Sequence, residues 1–448
     1  MSKRTVTSKQ HVRASFRDAV YTNLNMGMSE SYFAAFMLAL GMSEVVAGFG
    51  TVLPQFIGVL FQLLSIRSFF TRYSLKKRLT IFLILQALSM LPLIGAGIAK
   101  INSPALIISI LGLYWASLLS LNPPWNRLIG HTVPSNFRLR FFSIRNQFGQ
   151  FSVFLGLIGS GLALYYAKDS GQELPVYVGI FSLGFLLKCM SIYEVQRNHN
   201  DYDIGPGPEE RLKLRDFLKR FRGTDQGKLI TFLFLFYVTV HFSAPYFNPY
   251  MLKRLNLNYL EFMGICSLSY FGRVFMFKLL QKRAKSKHIS VILLFATIGI
   301  STSPLLWAIS QNYWWIASIE FLSGFYWAGF ELSTILLYYQ KIDDRERTSV
   351  MTYITLLNTT GMMLGSLLGA LFMKILPTGI DPFLTLFAVS SFFRIILVVF
   401  APQVDFKGQI PKLISFNRVM IVRAPYGALT RPIVGRVKRN KEGKKKVK

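Results

Sequence analysis

Residues 89–116 read SMLPLIGAGIAKINSPALIISILGLYWA, and residues 301–328 read STSPLLWAISQNYWWIASIEFLSGFYWA. Laid over each other 212 positions apart, without a gap, they put Ser89, Pro92, Leu93 and Ala96 on Ser301, Pro304, Leu305 and Ala308. Gly112, Tyr114, Trp115 and Ala116 fall on Gly324, Tyr326, Trp327 and Ala328. Past the next loop the offset drops to 209, pairing Arg138 with Arg347 and Gly156 with Gly365. A proline, two aromatic positions and an arginine in register point to an internal repeat rather than to chance.

The repeat is built from apolar runs about twenty residues long, enough to cross ~30 Å of hydrocarbon. The 448-residue chain is 52% hydrophobic and 16% charged, far fewer charges than a soluble chain carries. Reading runs against breakers gives twelve spans, near 20–41, 45–66, 79–99, 104–122, 146–167, 174–194, 228–250, 259–280, 289–310, 313–339, 349–374 and 382–401. Lipid offers no water to the backbone, so each run must be a helix. The runs lack the alternation of a membrane barrel. The predicted fold class is therefore an all-α membrane protein with twelve transmembrane helices in two six-helix halves.

Cations decide direction. They crowd the amino terminus (Lys3 to Arg17), the loops after the second, fourth, eighth and tenth spans, and the centre from Arg197 to Lys228. The other side shows only Lys100, Lys168, Lys253, Arg254 and Lys374. Both termini and the central loop are thus expected in the cytoplasm of a bacterial inner or plasma membrane. This asymmetry explains most of the net charge of +30, which on a soluble chain would suggest nucleic acid. The predicted organisation is 1–19 cytoplasmic, 20–195 first bundle, 196–227 central loop, 228–401 second bundle and 402–448 a basic tail attracted to anionic lipid. Residues 1–20 carry no secretory signal core. Cys189 and Cys266 make neither a disulfide framework nor a metal signature, and no cofactor or metal is expected.

Six plus six spans, cytoplasmic ends, a long basic central loop and the repeat resemble the major facilitator superfamily from about Val20 to Ala401. That family has a glycine and acidic–basic signature after its second span. Here the stretch Arg67-Ser68-Phe69-Phe70-Thr71-Arg72-Tyr73-Ser74-Leu75-Lys76-Lys77-Arg78 supplies Arg72, Lys76 and Lys77, but no glycine, and Thr71 stands for the aspartate. The resemblance implies a gating role for these three cations. It also implies that the first, fourth, seventh and tenth helices line a central cavity.

An ionisable group within a span costs roughly 2.5–3.5 kcal/mol on insertion scales, so it normally faces protein or water. Glu30, amid Asn23, Asn25, Ser29, Ser31 and Tyr32, reads as a proton or solute-cation site, or as an arginine's partner. Glu320 and Glu331, about three turns apart, share a face with Gly324 and Trp327. Their repeat counterparts are the apolar Ile108 and Leu119, so packing did not demand charge there. They read as solute or proton groups, or as an interhelical ion pair. Arg273, opposite Leu64 in the repeat, could hold a solute anion or pair with either glutamate. His241, beside Tyr237, Tyr246, Asn248 and Tyr250, could titrate or simply be hydrogen-bonded. Tyr32, Tyr114, Trp115, Tyr237, Asn248, Tyr326 and Trp327 are the expected cavity lining. Arg394 is expected at the bundle edge. Gly156, Gly159, Gly161, Gly361, Gly365 and Gly369 have the spacing of close helix contacts.

No phosphate-binding glycine loop and no metal-spaced or nucleophile–base cluster appears, so an ATP-driven pump and an enzyme are both disfavoured. The expected function is secondary transport of a small solute by a monomer, with proton coupling as one form of it. The alternative is a receptor or scaffold of the same fold that binds without translocating.

Overall fold

A computed structural model describes residues 2–42, 44–65, 73–133, 135–198, 214–257, 259–283, 289–342, 346–376 and 381–400. Arg72, the turn around Gly205–Pro208 and the basic tail lie outside the described residues. In chain order the long helices are α1 (Ser2–Met28), α2 (Glu44–Ser65), α3 (Leu75–Leu88, continued as Met90–Ile98) and α4 (Pro104–Thr132). Then come α5 (Arg138–Asp169), α6 (Glu173–Asn198), α7 (Asp225–His241), α8 (Tyr259–Arg283) and α9 (Ile289–Ile309). The chain ends with α10 (Tyr313–Lys341), α11 (Arg347–Ile375) and α12 (Pro382–Phe400).

Among the described residues nine helical segments are long and apolar enough to span a membrane. The remaining three expected spans fall on α1, α2 and α10; α2 is apolar on either side of Pro54, whereas α1 and α10 are less uniformly apolar. α1 is interrupted near its outer end, and α10 is rich in Trp and Tyr and carries Glu320 and Glu331. Helix starts follow local capping chemistry. Ser74 Oγ accepts from the Lys77 N–H, Thr224 Oγ1 from Gly227, and Asn312 Oδ1 from Trp314 and Trp315. Pro104 opens α4, where its missing N–H costs nothing.

The duplication is visible in the packing. α1 lies along α5 and α6, and α7 lies along α11 and α12. α2 packs on α4 as α8 packs on α10; α3 meets α4 and α6 as α9 meets α10 and α12. The repeat extends beyond the helices in which the sequence revealed it. α1 stops at fully buried Ser29 and passes through a 3-10 turn, Glu30–Tyr32, into Phe33–Ala39. α7 gives way around fully buried Ser243 to the 3-10 turn Ala244–Tyr246, 214 residues later. In the first half Phe33 and Phe36 pack on Phe181 at 5.9 and 4.9 Å, the latter edge-on; in the second Phe247 stacks on Phe387 at 4.3 Å and Tyr250 meets it edge-on at 5.3 Å.

Close approach in both halves depends on glycine. A Cβ on Gly156 would run into the Leu24 carbonyl of α1, and one on Gly365 into the Val238 carbonyl of α7. Leu24 and Val238 are again 214 apart, so one contact is built twice.

The halves join most firmly at the cation-rich end. One buried apolar cluster there draws Ile129, Val133, Phe141 and Phe142 from the first half and Leu336, Tyr339, Val350 and Met351 from the second. The Tyr339 hydroxyl donates to the Asn126 carbonyl at 2.7 Å, and the Asn126 amide lies 3.8 Å from Met351 Sδ. Toward the opposite end the core divides. One cluster around Phe36 and Phe181 belongs to the first half, and another around Tyr250 and Phe387 to the second. α5 and α8 run together as a seam between the halves.

Candidate functional site

Glu30 opens the 3-10 turn that interrupts α1, so its carboxylate is presented beside a helix break. The Tyr114 hydroxyl of α4 donates to Glu30 Oε1 in a very short hydrogen bond, while Asn25 Nδ2 donates to Tyr114 Oη at 2.9 Å. Tyr114 is fully buried and braced edge-on by Phe33 at 5.3 Å. One hydroxyl, positioned by Asn25 and Phe33, thus holds the carboxylate, and a charge-assisted bond of this kind is roughly twice as strong as a neutral one.

In the second half Arg273 of α8 grips Glu331 of α10, with Nη1 at 2.9 and 2.7 Å from the two carboxylate oxygens. The guanidinium is mostly covered, at 18% exposure, whereas Glu331 keeps 42%, so the pair presents its acidic side to open space. Glu320 lies beside Ser269 and within electrostatic reach of Arg273. Gly324, between the glutamates, rests against the Ser269 backbone, so the shared acidic face of α10 points at α8. Tyr237 of α7 stands near Glu331 and Arg273. Tyr270 of α8 stands within electrostatic reach of Glu331, Arg273 and also Glu30.

The remaining expected residues are distributed differently. Tyr32 is buried in the first-half core, and its hydroxyl donates to the Leu157 carbonyl at 2.6 Å. The Tyr326 ring covers Gly299 and meets Phe295 of α9, a helix–helix contact inside the second half. Trp115 packs edge-on to Tyr114, and Trp327 packs on Phe330 beside the shared cluster. His241 closes α7 one turn from Tyr237, ring centroids 6.4 Å apart. Asn248 is exposed on the short helix Phe247–Pro249, and Tyr250 lies in the outer core against Trp307. Lys76 donates to the Gln196 carbonyl at the end of α6, and Lys77 covers the Tyr73 ring at 4.4 Å. Lys76, Lys77 and Gln196, with Ser74 and Thr80, line an open surface depression of about 400 Å³ on the first half.

Arg394 corrects the expectation of a bundle-edge position. It is 3% exposed and donates to the carbonyls of Ile300 and Val240 and to Ser243 Oγ, at 3.0, 3.0 and 2.8 Å. Val240 and Ser243 flank the break between α7 and its outer continuation, while Ile300 lies on α9 four residues before Pro304, which has no N–H to offer that carbonyl, so the guanidinium serves both places.

Two groups escaped the sequence reading altogether. Asp18 binds Arg145 at 3.2 Å and Ser191 at 2.6 Å, tying α1 to α5 and α6. Lys188, in the middle of α6, is fully buried. A lysine inside an apolar run, with no flanking polar residues to carry it to an interface, was the available signal.

A family model described as Major Facilitator Superfamily matches residues 19–366. Among solved structures, a bacterial homologue of the iron transporter ferroportin, outward-facing with soaked iron, superposes with a TM-score of 0.67 at 13% identity, covering 88% of this chain and 99% of that one. The human organic anion transporter MFSD10 (TETRAN) gives 0.67 at 12% identity, with the same coverage of 88% and 99%. The E. coli fucose:proton symporter FucP gives 0.59 at 14% identity, covering 90% and 99%. No curated protein matches the chain by sequence. A family match over most of the chain, and a helical architecture shared end to end with solved transporters, establish that this integral, multi-pass membrane protein belongs to the Major Facilitator Superfamily.

Proposed function

We propose that the chain is a secondary carrier that moves a small solute by alternating access, with Glu30 as its proton-exchanging group. The observation that carries this reading is the placement of the charges. Glu30 with Tyr114, and Glu331 with Arg273, belong to opposite halves, and Tyr270 lies within electrostatic reach of both. Beyond them, toward the cation-rich end, the two halves close over one apolar cluster. A half-buried carboxylate on one half and an ion pair on the other give a solute two polar anchors across the line along which repeat halves rock. With the cation-rich end in the cytoplasm, as the charge bias supports, this is an outward-facing state with both termini cytoplasmic.

The fold neighbours are an iron transporter homologue, an organic anion transporter and a fucose:proton symporter. That range supports carriage of a small molecule without selecting one. The exposed acidic side of Glu331 favours a solute with a cationic or hydrogen-bond-donating group.

The test begins with a thermal-shift screen of the purified protein against metabolites, since a ligand of the folded state raises its melting temperature. A hit is then followed into proteoliposomes under an imposed pH gradient. The expected result is accumulation driven by the gradient and lost in Glu30→Gln and Glu331→Gln. Accumulation indifferent to pH and intact in both variants would discard proton coupling. A hit that stabilises the protein but never crosses the membrane would instead mark a receptor of this fold.

A further inference from the structure

The two halves treat the buried cation of their sixth helix in opposite ways. Lys188 of α6 and Arg394 of α12 occupy equivalent places, 206 residues apart. The same offset relates Phe181 to Phe387, each packed under its helix break, and Gly184 to Ser390. Ser390 hydrogen-bonds Ser243 at 3.0 Å, while a Cβ on Gly184 would meet Asn25 Oδ1, Ser29 Oγ and Met90. Both faces therefore look at the interruption of their facing helix. Arg394 is fixed there by its donations to Ile300, Val240 and Ser243.

Lys188 is not fixed. Its Nζ has no hydrogen-bond partner, and neither has Asn25 Oδ1 or Ser29 Oγ. These atoms surround the same spot: Gly184 faces Asn25 and Ser29 one turn before Lys188, and Ser191 binds Asp18 one turn after it. Two carboxylates lie within electrostatic reach of the ammonium, Glu30 and Asp18. Asp18 is already held by Arg145 of α5 and Ser191 of α6. Glu30 has only the Tyr114 hydroxyl of α4, and across the seam the phenol of Tyr270 of α8. No other charged group faces Glu30 among the described residues. Ala244 stands at the place of Glu30 in the second half, so the free cation and the acid occur together in one half and are both missing from the other.

We infer that Lys188 is the resident counter-cation of Glu30. It pairs with the carboxylate when neither a proton nor a cationic solute group occupies it, and withdraws to the Asn25 and Ser29 oxygens when one does. An ionised carboxylate left alone in a dry bundle is strongly unfavourable, whereas the pair is tolerated. The device lets the unloaded carrier reorient without a bare charge. It makes Lys188 a positioning residue for exchange at Glu30. The inference rests on the reading of Glu30 given above only for its meaning in transport.

Its test needs no solute, so it can fail while transport stands, or hold while transport fails. The full-length protein in lipid nanodiscs is melted at pH 8 and pH 5 as wild type, Lys188→Met, Lys188→Arg, Glu30→Gln and the Glu30→Gln/Lys188→Met double variant. Lys188→Met is expected to melt several degrees below wild type at pH 8 and to recover at pH 5, where a proton neutralises Glu30. Lys188→Arg keeps wild-type behaviour. The double variant melts above both single variants at pH 8 and shows no extra dependence on pH. A merely structural lysine would give a loss equal at both pH values and additive in the double variant, and either result would overturn the inference. If Lys188→Met yields no folded protein, Glu30→Gln against the double variant decides: a double variant no more stable than Glu30→Gln refutes the pairing.

Discussion

Asp381 shows how much one side chain can do at the edge of the membrane. It caps α12, accepting from the Phe383 and Leu384 N–H groups at 3.0 and 3.1 Å, with Pro382 behind it, and it binds Arg254 at 2.9 Å. Burial alone would lift its carboxyl, but the Leu384 N–H, the Arg254 guanidinium and the Phe383 N–H outweigh burial and hold it below the usual carboxylate range. A group depressed on folding stabilises above its unfolded value, near pH 4, and loses that contribution as pH falls through the lower folded value. Asp381→Asn keeps a capping oxygen, so it should cost only about 0.5 kcal/mol at pH 7, through the lost charge, and nearly nothing once pH falls below the folded carboxyl value. Arg254 is 54% exposed, so its share is small. Melting curves of the variant at both pH values check this. Arg394 should matter more: Arg394→Met removes donors from Val240, Ser243 and Ile300, and the Ile300 carbonyl, with Pro304 four residues on, is left unsatisfied at about 1–3 kcal/mol, so a fall in melting temperature is expected. Lysine there should restore little, since one ammonium cannot reproduce the planar fork. Glu30, Arg273 and Glu331 were legible as candidates because charge inside an apolar run is conspicuous. Their partners were less so. Tyr114 is 84 residues from Glu30, and helices apolar on nearly every side do not announce which face meets which neighbour. For the same reason Tyr114 and Tyr326, equal in the repeat, end in unlike surroundings: one reaches an acid, the other covers a glycine.

At the scale of elements, the spacing of small residues was read correctly as close contact in most places and overread in one. A Cβ at Gly365 would overlap the Val238 backbone, so Gly365→Ala must push α11 from α7 and should cost about 1–3 kcal/mol. Gly159, in the same kind of run, has nothing within 4 Å of where its Cβ would stand. Gly159→Ala should be neutral or slightly stabilising, because alanine is the better helix former by about 1 kcal/mol. Comparing the two variants by melting separates contact from mere composition. The interruption at Ser29 was not read from the sequence, since no proline marks it; the one at Ser243 carried a signal that was missed, Pro245 inside the turn Ala244–Tyr246. The tertiary partners differ: at the first break Tyr114 binds the Glu30 side chain, and at the second Arg394 donates to the Val240 carbonyl.

Over the whole molecule, the apolar run lengths, the repeat and the cation bias were enough to read the architecture, because a bilayer permits so few solutions. Which end is shut could not be read, since both arrangements bury the same sequence. Closure at the cation-rich end can be tested directly. Asn126 and Met351 approach to 3.8 Å across the halves, so an Asn126→Cys/Met351→Cys pair, with Cys189 and Cys266 replaced by serine, should crosslink on mild oxidation. The oxidised protein should lose solute movement and regain it with reductant; movement undiminished by the crosslink would mean that this contact does not open. The apolar cluster at that end has an electrical consequence too. If the opposite end is wet, most of the transmembrane voltage drops across this thin oily partition, leaving Glu30 near the potential of the far solution. A charge carried past the partition would then feel almost the full field, about 2.3 kcal/mol for each 100 mV, and the carrier would behave as a voltage-driven machine in one half of its cycle and an almost field-blind one in the other.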